Sequence, residues 1–252
     1  MNPEHVARTL LAARRNGHTL DPLTDRVALT LEQAYRVQDA VTAERLRTGQ
    51  RMVGWKLGYT SAAMRAQMGI TEPNCGPLTD AMLIPDGGAV PLGLLQPRVE
   101  PEIGLRLRRR LAGSAGVEEV LDACETGLAC LEVVDSVFTG YRFRLEDNTA
   151  DGSSAAGVVV GDELPLDGLD ALAVRLERNG EPGGEATGAA AGGHPAAGVG
   201  WLAARLAQRG HALEPGQLVI TGGLTAAVPL EPGDEVCAVF AGSAPVSVRR
   251  TR

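Results

Sequence analysis

Apolar residues recur at helical spacing mainly near the start of the chain. Val6, Leu10 and Leu11 share one face between residues 3 and 15, and the pattern stops near Gly17, which predicts a first amphipathic helix. Thr30, followed three positions later by Gln33, has the form of a capping box. Ala34, Val37 and Val41 extend the second stripe through Arg45 to Gly49, a C′ residue. From Met52 onward the texture changes to short apolar runs broken by Gly and Pro, the pattern of strands and turns. Strands are expected around 54–61, 99–107, 128–135 and 158–161, then at 217–220, 236–240 and 246–248. Between them, 117–124 reads as a helix stopped by Gly127, and 199–208 as a helix ended by Gly210. Residues 69–82 and 147–154 read as irregular polar loops. Residues 181–198, rich in Gly and Ala, read as a flexible hairpin or linker without chemistry of its own.

Two units follow: a helical cap over residues 1–50 and a β-rich catalytic part over 51–252, packed as one integrated body. The chain has 252 residues, enough for one large domain. No apolar run reaches the length of a membrane span. The formal net charge of -7 argues against nonspecific nucleic-acid binding, which needs a basic surface. Residues 1–5 lack the basic-then-apolar order of a secretory signal, so the expected location is cytoplasmic. Cys75, Cys124, Cys130 and Cys237 show no CxxC spacing and read as reduced, mostly packed thiols. His5 and His18 read as solvated surface groups.

Chemistry concentrates in the strand at 99–107. Side chains alternate along a strand, so Glu100 and Glu102 point the same way and repel unless a cation lies between them. Glu132 interrupts an apolar run that should be covered on both faces, and a buried carboxylate must be paired, protonated or bound to a cation. An oxygen-only ligand set favours Mg²⁺ or Mn²⁺ over zinc. Lys56, between apolar neighbours, must either snorkel to solvent or meet an anion. Ser154 precedes a buried strand, where a small hydroxyl can bond a substrate or cap a turn. Thr221, beside Gly222 and Gly223, can bring backbone donors to a ligand or simply make a tight turn. Among the loop acids Glu72, Asp80 and Asp86, the last begins an Asp-Gly-Gly turn.

Several separated strings fall in register with one family. Gly54-x-Lys56-x-Gly58-x-Thr60-Ser61, Glu72-Pro73-x-x-Gly76-x-Leu78, Gln96-Pro97-Arg98-Val99-Glu100-Pro101-Glu102-Ile103 and Leu131-Glu132-Val133-Val134-Asp135-Ser136 resemble the fumarylacetoacetate hydrolase superfamily. The branch they resemble holds 2-oxopent-4-enoate hydratase and 4-oxalocrotonate decarboxylase, late enzymes of catechol meta-cleavage. Trp201-Leu202-Ala203 and Thr221-Gly222-Gly223 continue the match. The resemblance implies an α+β fold, a β-rich mixed roll with flanking N-terminal helices. It implies Glu100, Glu102 and Glu132 as ligands of Mg²⁺ or Mn²⁺ and Lys56 as the acid/base or orienting group, with Asp80 and Ser154 as further site candidates. Lys56, near a cation and partly desolvated, is expected to have a lowered pKa. The implied activity is that of a metal-dependent lyase acting on an unsaturated 2-oxo acid through a metal-bound dienolate.

Local wording tilts the choice within the branch. Pro101 between the acids, Leu78-Thr79-Asp80-x-Met82-Leu83 with Asp86-Gly87-Gly88 after it, and Tyr141-x-Phe143-x-Leu145 are closer to the decarboxylase than to the hydratase. The alternatives are a hydratase or a noncatalytic partner subunit. The lack of any His between His18 and His194 speaks against a hydrolase using a His-Glu pair. The implied partners are a small 2-oxo acid, further copies of this chain in a homo-oligomer, and a homologous hydratase or decarboxylase; nucleic acid and membrane are not expected. One departure stands out: where the family usually has Ala-Asp-Asn, this chain has Ala150-Asp151-Gly152, which removes one possible hydrogen bond to the substrate.

Overall fold

The computed structural model describes the backbone of residues 1–252 and every side chain except those at 63, 64 and 68. Two helices lead. Helix α1 (Pro3–Arg15) is capped by Asn2, whose Oδ1 accepts from the His5 amide, and α2 (Leu31–Arg47) begins with the Thr30–Gln33 capping box. Their apolar faces meet: Val6, Leu10, Ala34, Val37 and Val41 form a cluster that also takes in Val137, Phe138 and Ala150 from much later in the chain. The helical layer therefore shares its core with the segment that follows the acidic strands. Among the described residues, no helix is long and apolar enough to cross a membrane.

The remaining elements build two sheets. The strands are β1 (Met52–Gly58), β2 (Asn74–Thr79), β3 (Leu83–Ile84), β4 (Arg98–Leu107), β5 (Cys124–Val134), β6 (Ala155–Leu164), β7 (Ala173–Arg178), β8 (Glu181–Thr187), β9 (Leu218–Ile220), β10 (Val228–Pro229), β11 (Glu235–Phe240) and β12 (Val246–Arg249). The helices between them are α3 (Ala62–Met68), α4 (Val117–Ala123), α5 (Leu145–Ala150) and α6 (Pro195–Gln208). The larger sheet runs β2-β1-β9-β4-β5-β6-β3, with β10 pairing on β4, and the smaller runs β12-β11-β7-β8. Most pairs are antiparallel; β1 with β9 and β3 with β6 are parallel. A core of Ile103, Leu105, Leu131, Val133, Val219 and Phe240, with their neighbours, fills the space between the sheets and α6. This is the α+β, β-rich roll with N-terminal helices that the resemblance implied.

Four segments differ from their sequence reading. Residues 74–79, expected within an irregular loop, form a strand buried along its whole length. Asn, Gly and Pro disguise it. Pro77 is tolerated because β2 is a sheet edge, where a missing amide breaks no ladder. Gly76 is required because a Cβ there would overlap the carbonyl oxygen of Gly152. Residues 147–154 contain the end of helix α5, with Asp147, Asn148 and Thr149 buried rather than solvated. Helix α4 ends at Ala123, and β5 begins at the next residue, so Gly127 lies inside a strand instead of stopping a helix. Its missing side chain lets the Leu164 carbonyl come close. Finally, 181–198 is no linker: it supplies β8 and the start of α6, which His194 caps by accepting from the Ala196 amide.

Candidate metal and substrate site

Strand alternation and register assemble the acidic cluster. Glu100 and Glu102 lie two apart on β4, and Glu100 stands directly opposite Glu132 on β5. One carboxylate oxygen from each residue falls within 4.8 Å of the others. Glu102 and Glu132 are fully buried. The turn after β9 shapes the other side. The Gly222 amide donates to Oε2 of Glu102 at 2.8 Å, and a Cβ on Gly223 would overlap the Glu100 carboxylate.

Lys56 completes the group from three strands away, because β9 and β4 separate β1 from β5. In a flat sheet that separation is about 14 Å. Curling of the sheet brings the Lys56 Nζ to 2.9 Å from Oε2 of Glu132, and the same ammonium donates to the Ser153 carbonyl at 3.1 Å. The sequence left Lys56 between solvent and an anion; the anion is Glu132. Burial alone would lower its pKa. The charges of Glu132, Glu102 and Glu100 outweigh burial and hold the pKa above the ordinary lysine value, opposite to the expected lowering.

Three carboxylates against one ammonium leave the cluster short of positive charge. Burial first, then the charge of Glu132, pushes Glu100 up to about 7, with Lys56 pulling the other way. Glu102 is raised well above its ordinary value by burial, then by Glu132 and Glu100. Among the described residues, Oε1 of Glu102 and Oε1 of Glu132 are buried with no hydrogen-bond partner. Three converging carboxylates, two of them with an orphaned buried oxygen, form the donor set a hard divalent cation takes, so these residues fit Mg²⁺ or Mn²⁺.

The cluster opens into a cavity of about 380 Å³. Six consecutive residues, 56–61, line it, because the chain leaves strand geometry at Tyr59, which has φ 56°. Burial pushes the Tyr59 phenol up to about 12, so it stays protonated. Another wall is a left-handed turn in which Gly152, Ser153 and Ser154 have φ of 71°, 56° and 58°. Left-handed serines cost roughly 1–2 kcal/mol each, and a buried network holds them there. The Ser153 hydroxyl donates to Asn74 Oδ1 at 2.9 Å, Asn148 Nδ2 donates to Ser154 Oγ at 3.0 Å, and Asn74 Nδ2 donates to Asn148 Oδ1 at 2.9 Å. Arg14 of α1 braces the preceding residue, donating to Asp151 at 2.7 Å and to Asp135 at 3.0 Å.

The structure brings together Lys56, Glu100, Glu102, Glu132 and Ser154. Asp80 lies away from them, and the Thr221 hydroxyl is engaged elsewhere. Asp80 pairs with Arg51, accepting from its amide at 2.9 Å and from its Nε at 3.0 Å, at the end of β1 away from Lys56. The antiparallel register that sets Gly76 opposite Lys56 carries Asp80 four residues, about 13 Å, along the strands. Thr221 is buried, and its hydroxyl donates to the Ile103 carbonyl at 2.8 Å; the turn serves the site through the amide of Gly222. Arg98, Asn148 and Phe143 also line the cavity and were not singled out from the sequence. Arg98 had a usable signal, since it shares the strand face of Glu100 two positions earlier.

A curled sheet carrying three converging glutamates and one buried lysine defines a class of divalent-metal protein, and the sequence comparisons give its family. The profile described as "Fumarylacetoacetate (FAA) hydrolase C-terminal" matches residues 53–249, and the chain belongs to that family. It is 36% identical to 2-hydroxyhexa-2,4-dienoate hydratase of Comamonas testosteroni, over 98% of this chain and 97% of that protein. It is 37% identical to 4-oxalocrotonate decarboxylase of Pseudomonas sp. (strain CF600), over 98% of this chain and 94% of that one. Among solved structures, it superposes on 4-oxalocrotonate decarboxylase from Pseudomonas putida G7, complexed with magnesium and adipate. There the TM-score is 0.94 with 34% identity, over 98% of this chain and 97% of that one.

Proposed function

We propose that this protein is a divalent-metal-dependent lyase that decarboxylates an unsaturated 2-oxo diacid of the 4-oxalocrotonate type. The observation that carries this reading is the convergence of three glutamates, two of them with an orphaned oxygen, beside Lys56, at the end of a cavity large enough for a small acid. Glu100, Glu102 and Glu132 would hold Mg²⁺ or Mn²⁺. When bound, that cation supplies the Lewis acidity that draws electron density from a 2-oxo acid. Lys56, kept as an ammonium by Glu132, orients a substrate oxygen and adds positive charge where negative charge develops. Ser154, with its hydroxyl fixed by Asn148, offers a positioned polar contact. Val134, Phe143, Ala226 and Ala227 give one part of the cavity an apolar wall, a surrounding that would favour loss of CO₂ over addition of water. Hydration is the second reading, favoured by the Comamonas relative, which matches as well as the decarboxylases do.

The cytoplasmic assignment is supported by four free cysteines, three of them buried, which suit a reducing compartment. Assembly with further copies or with a homologous partner enzyme is supported by a groove on the outer sheet face lined by Val53, Leu83, Val160 and Leu218, where Leu83 is 46% exposed. The test of activity is direct. Protein with Mg²⁺ or Mn²⁺ and 2-oxohex-3-enedioate should release CO₂, while 2-hydroxypenta-2,4-dienoate should gain no water. Water addition without CO₂ release would select the hydratase reading, and turnover of neither would overturn both. Lys56→Met should abolish turnover while leaving the acidic cluster able to bind metal.

A further inference from the structure

We propose that Tyr59 binds substrate: its hydroxyl donates a hydrogen bond to the 2-oxo oxygen of the bound acid and, together with Lys56, cradles that oxygen as negative charge gathers on it. This rests on the reading above, in which the 2-oxo acid end lies at Glu100, Glu102 and Glu132. It concerns a position that the string Gly54-x-Lys56-x-Gly58-x-Thr60-Ser61 leaves open.

Backbone geometry singles out Tyr59 first. Alternation along β1 would send residue 59 to the face of Leu57, which packs in the main core, and away from Lys56. The left-handed conformation at Tyr59 breaks that alternation, and Tyr59 lines the cavity together with Lys56. A bulky side chain in this conformation is strained. Of the five non-glycine residues with positive φ, Tyr59, Tyr141, Ser153 and Ser154 all line the cavity, and Asn179 alone does not. Three neighbours hold the turn at Tyr59. Nη1 of Arg65 donates to the Tyr59 carbonyl at 2.6 Å and to the Thr60 carbonyl at 2.9 Å. Gly192 and Gly222 approach Thr60 so closely that a Cβ on either would crowd it. Strain maintained in this way, at the wall of a cavity, points to a use in the site.

The hydroxyl is uncommitted. Among the described residues it has no hydrogen-bond partner, and it lies near enough to Lys56 and Glu100 for both charges to act on it. Burial keeps the phenol protonated, so it serves as a donor. Lys56 carries three N–H bonds. One meets Glu132 and one the Ser153 carbonyl, which leaves one for a ligand. An oxygen that gains negative charge is stabilised by donors fixed in advance. The Tyr59 phenol adds such a donor to the one Lys56 has left, at the end of the cavity where the acids lie.

The test reads binding first and turnover second. 2-Oxopentanoate, which has no double bond to react, is titrated calorimetrically into the Mg²⁺-loaded protein. Tyr59→Phe keeps the ring and loses only the hydroxyl; it should weaken this ligand by roughly threefold to tenfold, with Mg²⁺ affinity unchanged. In turnover of whichever unsaturated 2-oxo acid the wild type accepts, kcat should fall by roughly a hundredfold, the loss expected for an oxyanion donor, and KM should rise far less. Tyr59→Gly, which suits the left-handed turn, should fold and lose at least as much activity. If Tyr59→Phe stays within about twofold of the wild type in both measurements, the ring is only a wall and the proposal is overturned. Wild-type kcat in Tyr59→Gly overturns it as well, since the residue would then serve only the turn. Wild-type protein that binds no 2-oxopentanoate would instead overturn the 2-oxo acid reading on which the proposal stands.

Discussion

Removing the metal should make the protein less stable as pH rises, and the acidic cluster sets the size of the effect. In the metal-free protein, Glu100 is pushed from 4.5 up to about 7 by burial and by Glu132. A carboxyl with a raised folded-state pKa holds a proton that the unfolded chain has already lost. Its contribution is fully present below the unfolded value and disappears as pH rises through the folded one. The displacement corresponds to about 3 kcal/mol, lost between roughly pH 4.5 and 7. Glu102 shifts in the same direction. For a chain of this size, that amounts to a fall in melting temperature of about 10 °C. The assay is a thermal melt of EDTA-treated protein from pH 5 to 8, with Glu100→Gln as the reference. The window lies above the range where the lowered carboxyls Asp80, Asp122 and Asp234 titrate. The wild type should lose stability against the variant as pH rises, and saturating Mg²⁺ should cancel the loss in the wild type alone. Parallel pH profiles for the two proteins, or equal rescue by Mg²⁺, would refute the coupling of the three acids.

Two further substitutions probe how the site is held. Arg14→Leu leaves Asp135 and Asp151, whose side chains are 1% and 3% exposed, without their cation. The expected loss is about 3–5 kcal/mol, read by urea unfolding, together with a fall in activity because Asp151 adjoins the turn at 152–154. Gly76→Ala drives a methyl group into the Gly152 carbonyl; it should reduce turnover strongly even if the fold survives, and unchanged kinetics would show that the close approach of β2 to this turn is dispensable.

The two leading helices were legible because their signals are local: a capping box and a 3.6-residue stripe need nothing from the rest of the chain. The acidic pair was legible for the same reason, since strand alternation alone sets Glu100 beside Glu102. That Glu132 joins them depends on strand register. Its apolar flanks showed that it is buried, and the family resemblance supplied its companions. The misreadings lie where residue types serve a distant partner. Asn74, Gly76 and Pro77 read as a loop, yet Asn74 is there for Asn148 and Ser153, Gly76 for the Gly152 carbonyl, and Pro77 survives because β2 is an edge. Asp147 and Asn148 read as solvated polar residues because their partners, Thr24 and Asn74, are far away in sequence. Asp80 was expected near Lys56, and only the β1–β2 register shows the strand length between them. The Gly152 departure acquires a local meaning: its φ of 71° suits glycine, and a Cβ there would meet no atom within 4 Å, so space does not demand the glycine and the backbone conformation of the turn favours it.

Anomalous scattering from crystals grown with Mn²⁺ tests the central claim most directly. One strong peak should lie between the carboxylates of Glu100, Glu102 and Glu132, within coordination distance of an oxygen from each, and Glu102→Gln should abolish it. A wild-type peak elsewhere in the molecule, or none at saturating Mn²⁺, would contradict the metal site and the chemistry derived from it.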